Sequence, residues 1–253
     1  MKSKHLILSA FVTLAGFLPQ SKASLSLGSA GSFAVLGGST VTSKGNTVLN
    51  GDLGVSPGTS ITGFSPGIVN GAIHNNDAVA AQAQVYALSA YNALRSETPN
   101  QNLTGLDLGS RTLNPGVYHF DSSAQLTGIL TLSGTGDFVF QIGSTLGTGD
   151  YSSIVLLNGA QADNVFWQVG SSAKLGTGTS FDGSIIAHDS ITFVTGASLS
   201  GRALALNGAV TLDDNVITAV PEAAAFWPLV FCTSVFGGWR RLMMRRRKVG
   251  RSQ

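Results

Sequence analysis

Three short stretches share one format, a threonine followed three residues later by a second hydroxyl. They are Thr59-Ser60-Ile61-Thr62, Thr177-Gly178-Thr179-Ser180 and Thr195-Gly196-Ala197-Ser198. One copy means little, because Thr and Ser suit β-coils and turns. Three copies, two of them in register, point to a hydroxyl row repeated on stacked units, which is a surface for binding something regular. Positions three apart fall on opposite faces of a straight strand, so which member of each pair faces outward stays open.

Acid–base chemistry has weaker support. Glycoside hydrolysis needs two converging carboxylates, and the candidates are Asp182, Asp189, Asp213 and Asp214. All four fall at turn-like positions, where aspartate stabilises the backbone locally. His74, His119 and His188 stand apart, without the spacing of metal ligands. The sequence has no nucleophile motif and no phosphate-binding loop. An enzyme is the third-ranked reading, and no catalytic residue, metal or cofactor is assigned.

The elements that must position these hydroxyls are visible as an echo. Residues 174–187 and 192–205 align at a constant offset of 18, with Leu175 on Phe193, Gly183 on Gly201 and Ala187 on Ala205, and a shorter third copy starts at Thr211. So short a period reads as a solenoid, in which each coil buries its apolar side by stacking on its neighbours. Short apolar alternations broken by glycine, such as Phe33–Leu36 and Thr40–Thr42, read as strands between turns. Phe138–Ile142 and Val165–Val169 are apolar runs broken only by Gln141 and Gln168, which predicts strands buried on both sides.

One segment differs. Residues 77–95 contain neither Gly nor Pro and many Ala, which predicts a helix over about 76–96, with Asn75 or Asn76 as its cap and Pro99 beyond its end. Ala81, Val85 and Leu88 make one apolar stripe; Ala83, Ala87, Ala90 and Leu94 make another. A helix of that length spans ~30 Å and would lie beside about six coils spaced ~4.8 Å apart.

The net charge of +2 averages three unlike regions. Residues 24–219 carry five basic and twelve acidic side chains, a balance of −7, and offer no basic patch to nucleic acid. Residues 1–23 have Lys2 and Lys4, an apolar run from Leu6 to Leu18 and a small-residue cleavage site at Ser21-Lys22-Ala23, the pattern of a secretory signal peptide. The remaining 220–253 form a tail: Val220-Pro221-Glu222, an uncharged apolar segment 223–239, then seven basic residues from Arg240 to Arg251. That segment is at the lower edge of what spans a bilayer, and the basic end predicts a cytoplasmic terminus. Contact with membrane is expected only there. Cys232 is the only cysteine and lies in this tail, leaving 24–219 with no disulfide or thiol chemistry.

The tail resembles the PEP-CTERM sorting signal of Gram-negative bacteria, although Ala223 stands where the second proline is usual. That resemblance implies an exosortase-type processing enzyme as partner and delivery to the cell surface or extracellular matrix.

Residues 25–219 as a whole resemble the microbial ice-binding protein family. The resemblance is carried by Phe33–Gly37, Gly51–Gly58, Ile61–Phe64, Ala90–Asn92, Leu113–Tyr118, Leu157–Ala160, Val165–Val169 and Gly201–Leu212. It implies a mostly β, right-handed, triangular, discontinuous β-solenoid with one long helix alongside, and adsorption to an ice crystal surface through a flat β-face, without catalysis. Some family members carry a Thr-Ala/Gly-any-Thr/Asn motif on that face; the matching positions are Thr59, Thr62, Thr177, Ser180, Thr195 and Ser198. Two of those pairs end in serine, which lacks the threonine methyl. The alternative is a surface adhesin or polysaccharide-binding module, which the tail also suits.

Overall fold

Short strands with glycine at their ends cannot form a broad sheet alone, and here each set of three closes one coil of a three-sided stack. The structure is a computed structural model and describes residues 25–221; the expected signal peptide, 1–23, and the apolar and basic parts of the tail lie outside the described residues. Every strand pairing given for the stack is parallel, as the solenoid reading requires.

The order of coils differs from the order of the chain. The first coil comprises Phe33–Gly37, Thr40–Lys44 and Val48–Asn50, and the second comprises Asp52–Val55, Ser60–Thr62 and Ile68–Val69. After Ile73–Asn75 the chain leaves the stack and enters the helix Ala78–Ser96. It rejoins at the far end with Gln101–Asn102 and climbs back coil by coil. The last coil then closes on the first: Val35 pairs with Ala203, Val41 with Val210, and Val48 with Val216. This seam is clamped by Arg202. Its side chain is buried and donates to the Gly31 and Val220 carbonyls and to the Ser184 hydroxyl.

The 18-residue echo is one coil. Ser180–Ala187 and Ser198–Ala205 pair at every position, and each turns a corner midway, so its first half belongs to one face and its second half to the next. The corner residues are Gly183 and Gly201, at φ +107° and +151°. A side chain at Gly201 would lie 2.0 Å from the Gly183 carbonyl oxygen, so stacked corners exclude a Cβ as well as requiring glycine's backbone freedom.

The helix covers one face. Asp77 is its cap, in place of the expected Asn75 or Asn76: the carboxylate accepts from the Ala80 N–H at 2.9 Å, while Asn76 takes a left-handed conformation at φ +51°. Of the two apolar stripes, the alanine stripe with Leu94 is buried and the stripe of Ala81, Val85 and Leu88 is exposed. Small side chains let the helix approach Leu36, Leu204, Ile186, Phe166, Val139 and Val117, one residue from each of six coils. That cover is why Phe138–Ile142 and Val165–Val169 are buried at every position. Inside the stack, Tyr118, Phe140, Trp167 and Phe181 form an aromatic column, with ring centroids 5.4, 3.9 and 4.8 Å apart.

Candidate ice-facing surface

Two faces remain open to solvent. The first is the seven-stranded sheet that includes Thr40–Lys44, Ser60–Thr62, Ala173–Leu175, Ile191–Phe193 and Val210–Asp213. Its outward row is Gln125, Gly147, Lys174, Thr192, Thr211, Thr42 and Thr62 in successive coils. Thr192, Thr211, Thr42 and Thr62 are consecutive in it, Lys174 adjoins them on one side, and Lys44 and Asp213 are partners at the edge.

The second face has a different composition. One outward row runs Ile129, Ser153, Ser180, Ser198, Val216, Val48, Ile68 in unbroken register through seven coils. At ~4.8 Å per coil it is ~29 Å long. A parallel row contains Thr112, Thr131 and Val155 at one end and Asp182, Ser200, Thr218 and Asn50 at the other. It is held by hydrogen bonds from the Asn50 amide to the Thr218 hydroxyl and from Asn70 to Asn50, at 3.0 and 2.9 Å. Exposed Ile68, Ile129, Leu157 and Val216 all belong to this face. Between the rows, Leu130, Ile154, Phe181, Leu199, Ile217 and Leu49 point into the core.

Asp182 is the only ionisable side chain in either row of this second face. Burial pushes its carboxyl above the usual aspartate range, and the Ser200 hydroxyl partly opposes that. Its carbonyl oxygen accepts from the buried Trp167 indole at 3.0 Å.

The six expected site residues do not share one row. Ser180 and Ser198 are Cα partners at the centre of the second face. Thr177 and Thr195 lie in the turns just before them, where the Thr195 hydroxyl is held by Asp213 and the Thr177 N–H by Asp150. Thr62 belongs to the other sheet, paired with Thr42, and Thr59 precedes that strand. The Thr59–Thr62 copy therefore has the same format at a different phase of its coil. At the corresponding place on the second face its coil presents Ile68 instead.

The aspartates weighed as acid–base candidates are each tied to their own neighbours. Asp189 bonds Ser171 and His188, Asp213 bonds Thr195, and Asp214 accepts from the Asn46 N–H. Among the described residues no group of three His, Cys, Asp or Glu side chains is arranged to hold a metal, and no helix is long and apolar enough to cross a membrane.

This stack, with its returning helix and open faces, has known counterparts. Residues 35–218 match the family described as ice-binding-like. The chain belongs to that family. It is 59% identical over 222 residues to an ice-binding protein of Nostoc sp. strain HG1, covering 85% of this chain and 82% of the relative. An ice-binding protein from the Antarctic ascomycete Antarctomyces psychrotrophicus superposes with a TM-score of 0.75 at 44% identity, over 78% of this chain and 98% of that one. One from an Antarctic biological consortium gives a TM-score of 0.75 at 45% identity, covering 85% and 96%. The β-solenoid with one helix beside it is thus the fold of this chain's family.

Proposed function

We propose that this chain adsorbs to ice through its second open face and so limits ice growth or recrystallisation. The observation that carries the reading is the row from Ile129 to Ile68, seven coils in register with hydroxyls at its centre, β-branched side chains at its ends and no charge. Water beside apolar groups keeps its own hydrogen-bond network, and hydroxyls at a fixed repeat join it without disrupting it. Each contact is weak. They sum because the backbone ladders hold the side chains in place before binding, so little ordering entropy is lost on contact. Charged groups hold their hydration shells tightly, which argues against the first sheet with its Lys174, Lys44 and Asp213.

In this reading Ser180 and Ser198 touch ice, Thr177 and Thr195 border the contact, and Thr59 and Thr62 do not take part. The signal peptide 1–23 and sorting tail 220–253 would deliver the 24–219 domain to the cell surface or matrix, with an exosortase-type enzyme acting on the tail. Surface display lost on deletion of 220–253 supports that part; display unchanged by the deletion refutes it.

The test of the face is a pair of bulky substitutions in the purified 24–219 domain. Ser198→Tyr abolishes most thermal hysteresis and recrystallisation inhibition, whereas Thr192→Tyr, on the other sheet, leaves them intact. The opposite pattern moves the site to the threonine sheet, and a wild-type domain without either activity refutes ice adsorption altogether.

A further inference from the structure

The helix-covered face contains an inconsistency in its outward rows. His119, Gln141, Gln168, Ile186 and Leu204 are aligned partners in five successive coils, all pointing toward the helix. Ile186 and Leu204 are buried against it, as that position requires. Gln141 is buried too, but fully used: its amide donates to the Leu94 and Glu97 carbonyls at 2.8 Å each, closing the end of the helix, and its oxygen meets His119.

Gln168 has the same residue type and register and, as a whole residue, the same 4% exposure, yet its amide has no hydrogen-bond partner among the described residues and is not sealed from solvent, unlike the unpaired Ser29 Oγ, Ser43 Oγ and Asp163 Oδ1. The next two coils carry buried aliphatic side chains at this register, Ile186 and Leu204, so a polar side chain here is not required by the packing. The Gln168 amide lines a cleft of about 310 Å³ between the C-terminal half of the helix and the strand ends. Tyr91, itself only 5% exposed, lines the same cleft, with its ring against His188 at 6.2 Å. Its hydroxyl likewise has no partner among the described residues. Arg95 completes the wall and forms no ion pair among the described residues.

We infer that this cleft is a binding site for one carboxylate-bearing sugar unit, a uronic-acid residue of an acidic polysaccharide. The guanidinium of Arg95 supplies a cation for the carboxylate. The Gln168 amide both donates and accepts, and the Tyr91 hydroxyl does the same, which is the complement of a ring bearing several hydroxyls. His119 and His188 are pre-oriented because a ring nitrogen of each meets Asp121 or Asp189, at 3.1 and 2.8 Å. The volume is at the small end for ligand pockets and suits a single sugar rather than a long chain. The site lies on the face covered by the helix, so a protein bound to polysaccharide here would keep its ice-facing rows free. The inference does not depend on ice adsorption.

The experiment is saturation-transfer NMR on the full chain titrated with D-glucuronate, with D-glucose and acetate as controls. Glucuronate is expected to saturate with a Kd of about 1 mM, with neither control matching it. Arg95→Ala, at an exposed helix position, should weaken binding about tenfold, and Gln168→Leu, which copies the apolar side chains next in its row, should remove it. No saturation by about 50 mM glucuronate overturns the site. Equal binding of glucose overturns the role of Arg95, and equal binding of acetate overturns the sugar. Variants that bind like the wild type place any binding elsewhere.

Discussion

Asp182 and Ser200 are Cα partners in adjacent coils, side by side on the face proposed to meet ice. The carboxyl is the one ionisable group in two rows of hydroxyl, aliphatic and amide side chains. Burial raises its pKa from the ordinary 3.8, with the Ser200 hydroxyl acting in the other direction. A carboxylate there binds its own water and interrupts the row. Asp182→Asn, and more strongly Asp182→Thr, should therefore increase thermal hysteresis at neutral pH. The wild type should approach the variants as acid removes the charge, beginning above the pH at which an exposed aspartate titrates. The stability effect has the same sense: a raised acid pKa stabilises the fold fully below 3.8 and loses that stabilisation as pH rises through the folded value. Thermal hysteresis and unfolding midpoints, each followed against pH for wild type and Asp182→Asn, check both. Parallel curves for the two proteins contradict the assignment.

Thr195 and Ser198 separate what was legible in the sequence from what was not. The 18-residue offset identified the coil correctly and made Ser180 and Ser198 equivalent, because stacking preserves any exact local period. Phase within the coil was not legible. Thr59–Thr62 has the same format, but its strand is on the other sheet, since a threonine pair three apart does not reveal which corner it precedes. The long threonine row was hidden for another reason. Thr211 and Thr42 become neighbours only because the last coil closes on the first, a contact no local repeat can report. The helix was legible from its alanines, and its six-coil reach followed from length alone, but its cap shifted to Asp77. Position on the corner makes the next expectation graded. Thr195→Tyr should reduce ice activity less than Ser198→Tyr does, because the Thr195 hydroxyl is already taken by Asp213 and its turn borders the face. Thermal hysteresis of the two variants at matched concentration tests this; a larger loss at Thr195 would extend the contact around the corner.

Trp167 links the core to the rows of the second open face. Its ring is fully buried, stacked on Phe140 at 3.9 Å and an interplanar angle of 7°, and its indole N–H donates to the Asp182 carbonyl. Trp167→Ala should cost ~3–5 kcal/mol in denaturant unfolding, the usual range for emptying an aromatic site. Trp167→Phe keeps the column but leaves the Asp182 carbonyl without that donor, so it should cost less and still reduce ice activity by loosening the strand beneath Asp182. Equal stability losses for Ala and Phe would mean that the hydrogen bond, and not the stacking, dominates.

Asp77 predicts the acid limit of the fold. The carboxylate accepts the Ala80 N–H at the start of the helix and meets His74 at 2.8 Å, and these bonds hold its pKa below the ordinary 3.8, the backbone bond first and the histidine next. A lowered acid pKa contributes stability that is present above 3.8 and is lost as pH falls through the folded value. Asp77→Asn keeps an acceptor for Ala80 but has no charge for the helix N-terminus or for His74. The variant should therefore unfold at lower temperature than the wild type near neutral pH. The gap should close as pH falls below 3.8 and through the folded value of the wild-type carboxyl, where that group is protonated as well. Because the helix returns the chain across six coils, its loosening should be seen in circular dichroism as a loss of helix before the β signal changes. A constant gap between wild type and variant down to the acid end would assign the effect to cap geometry alone and not to the carboxylate charge.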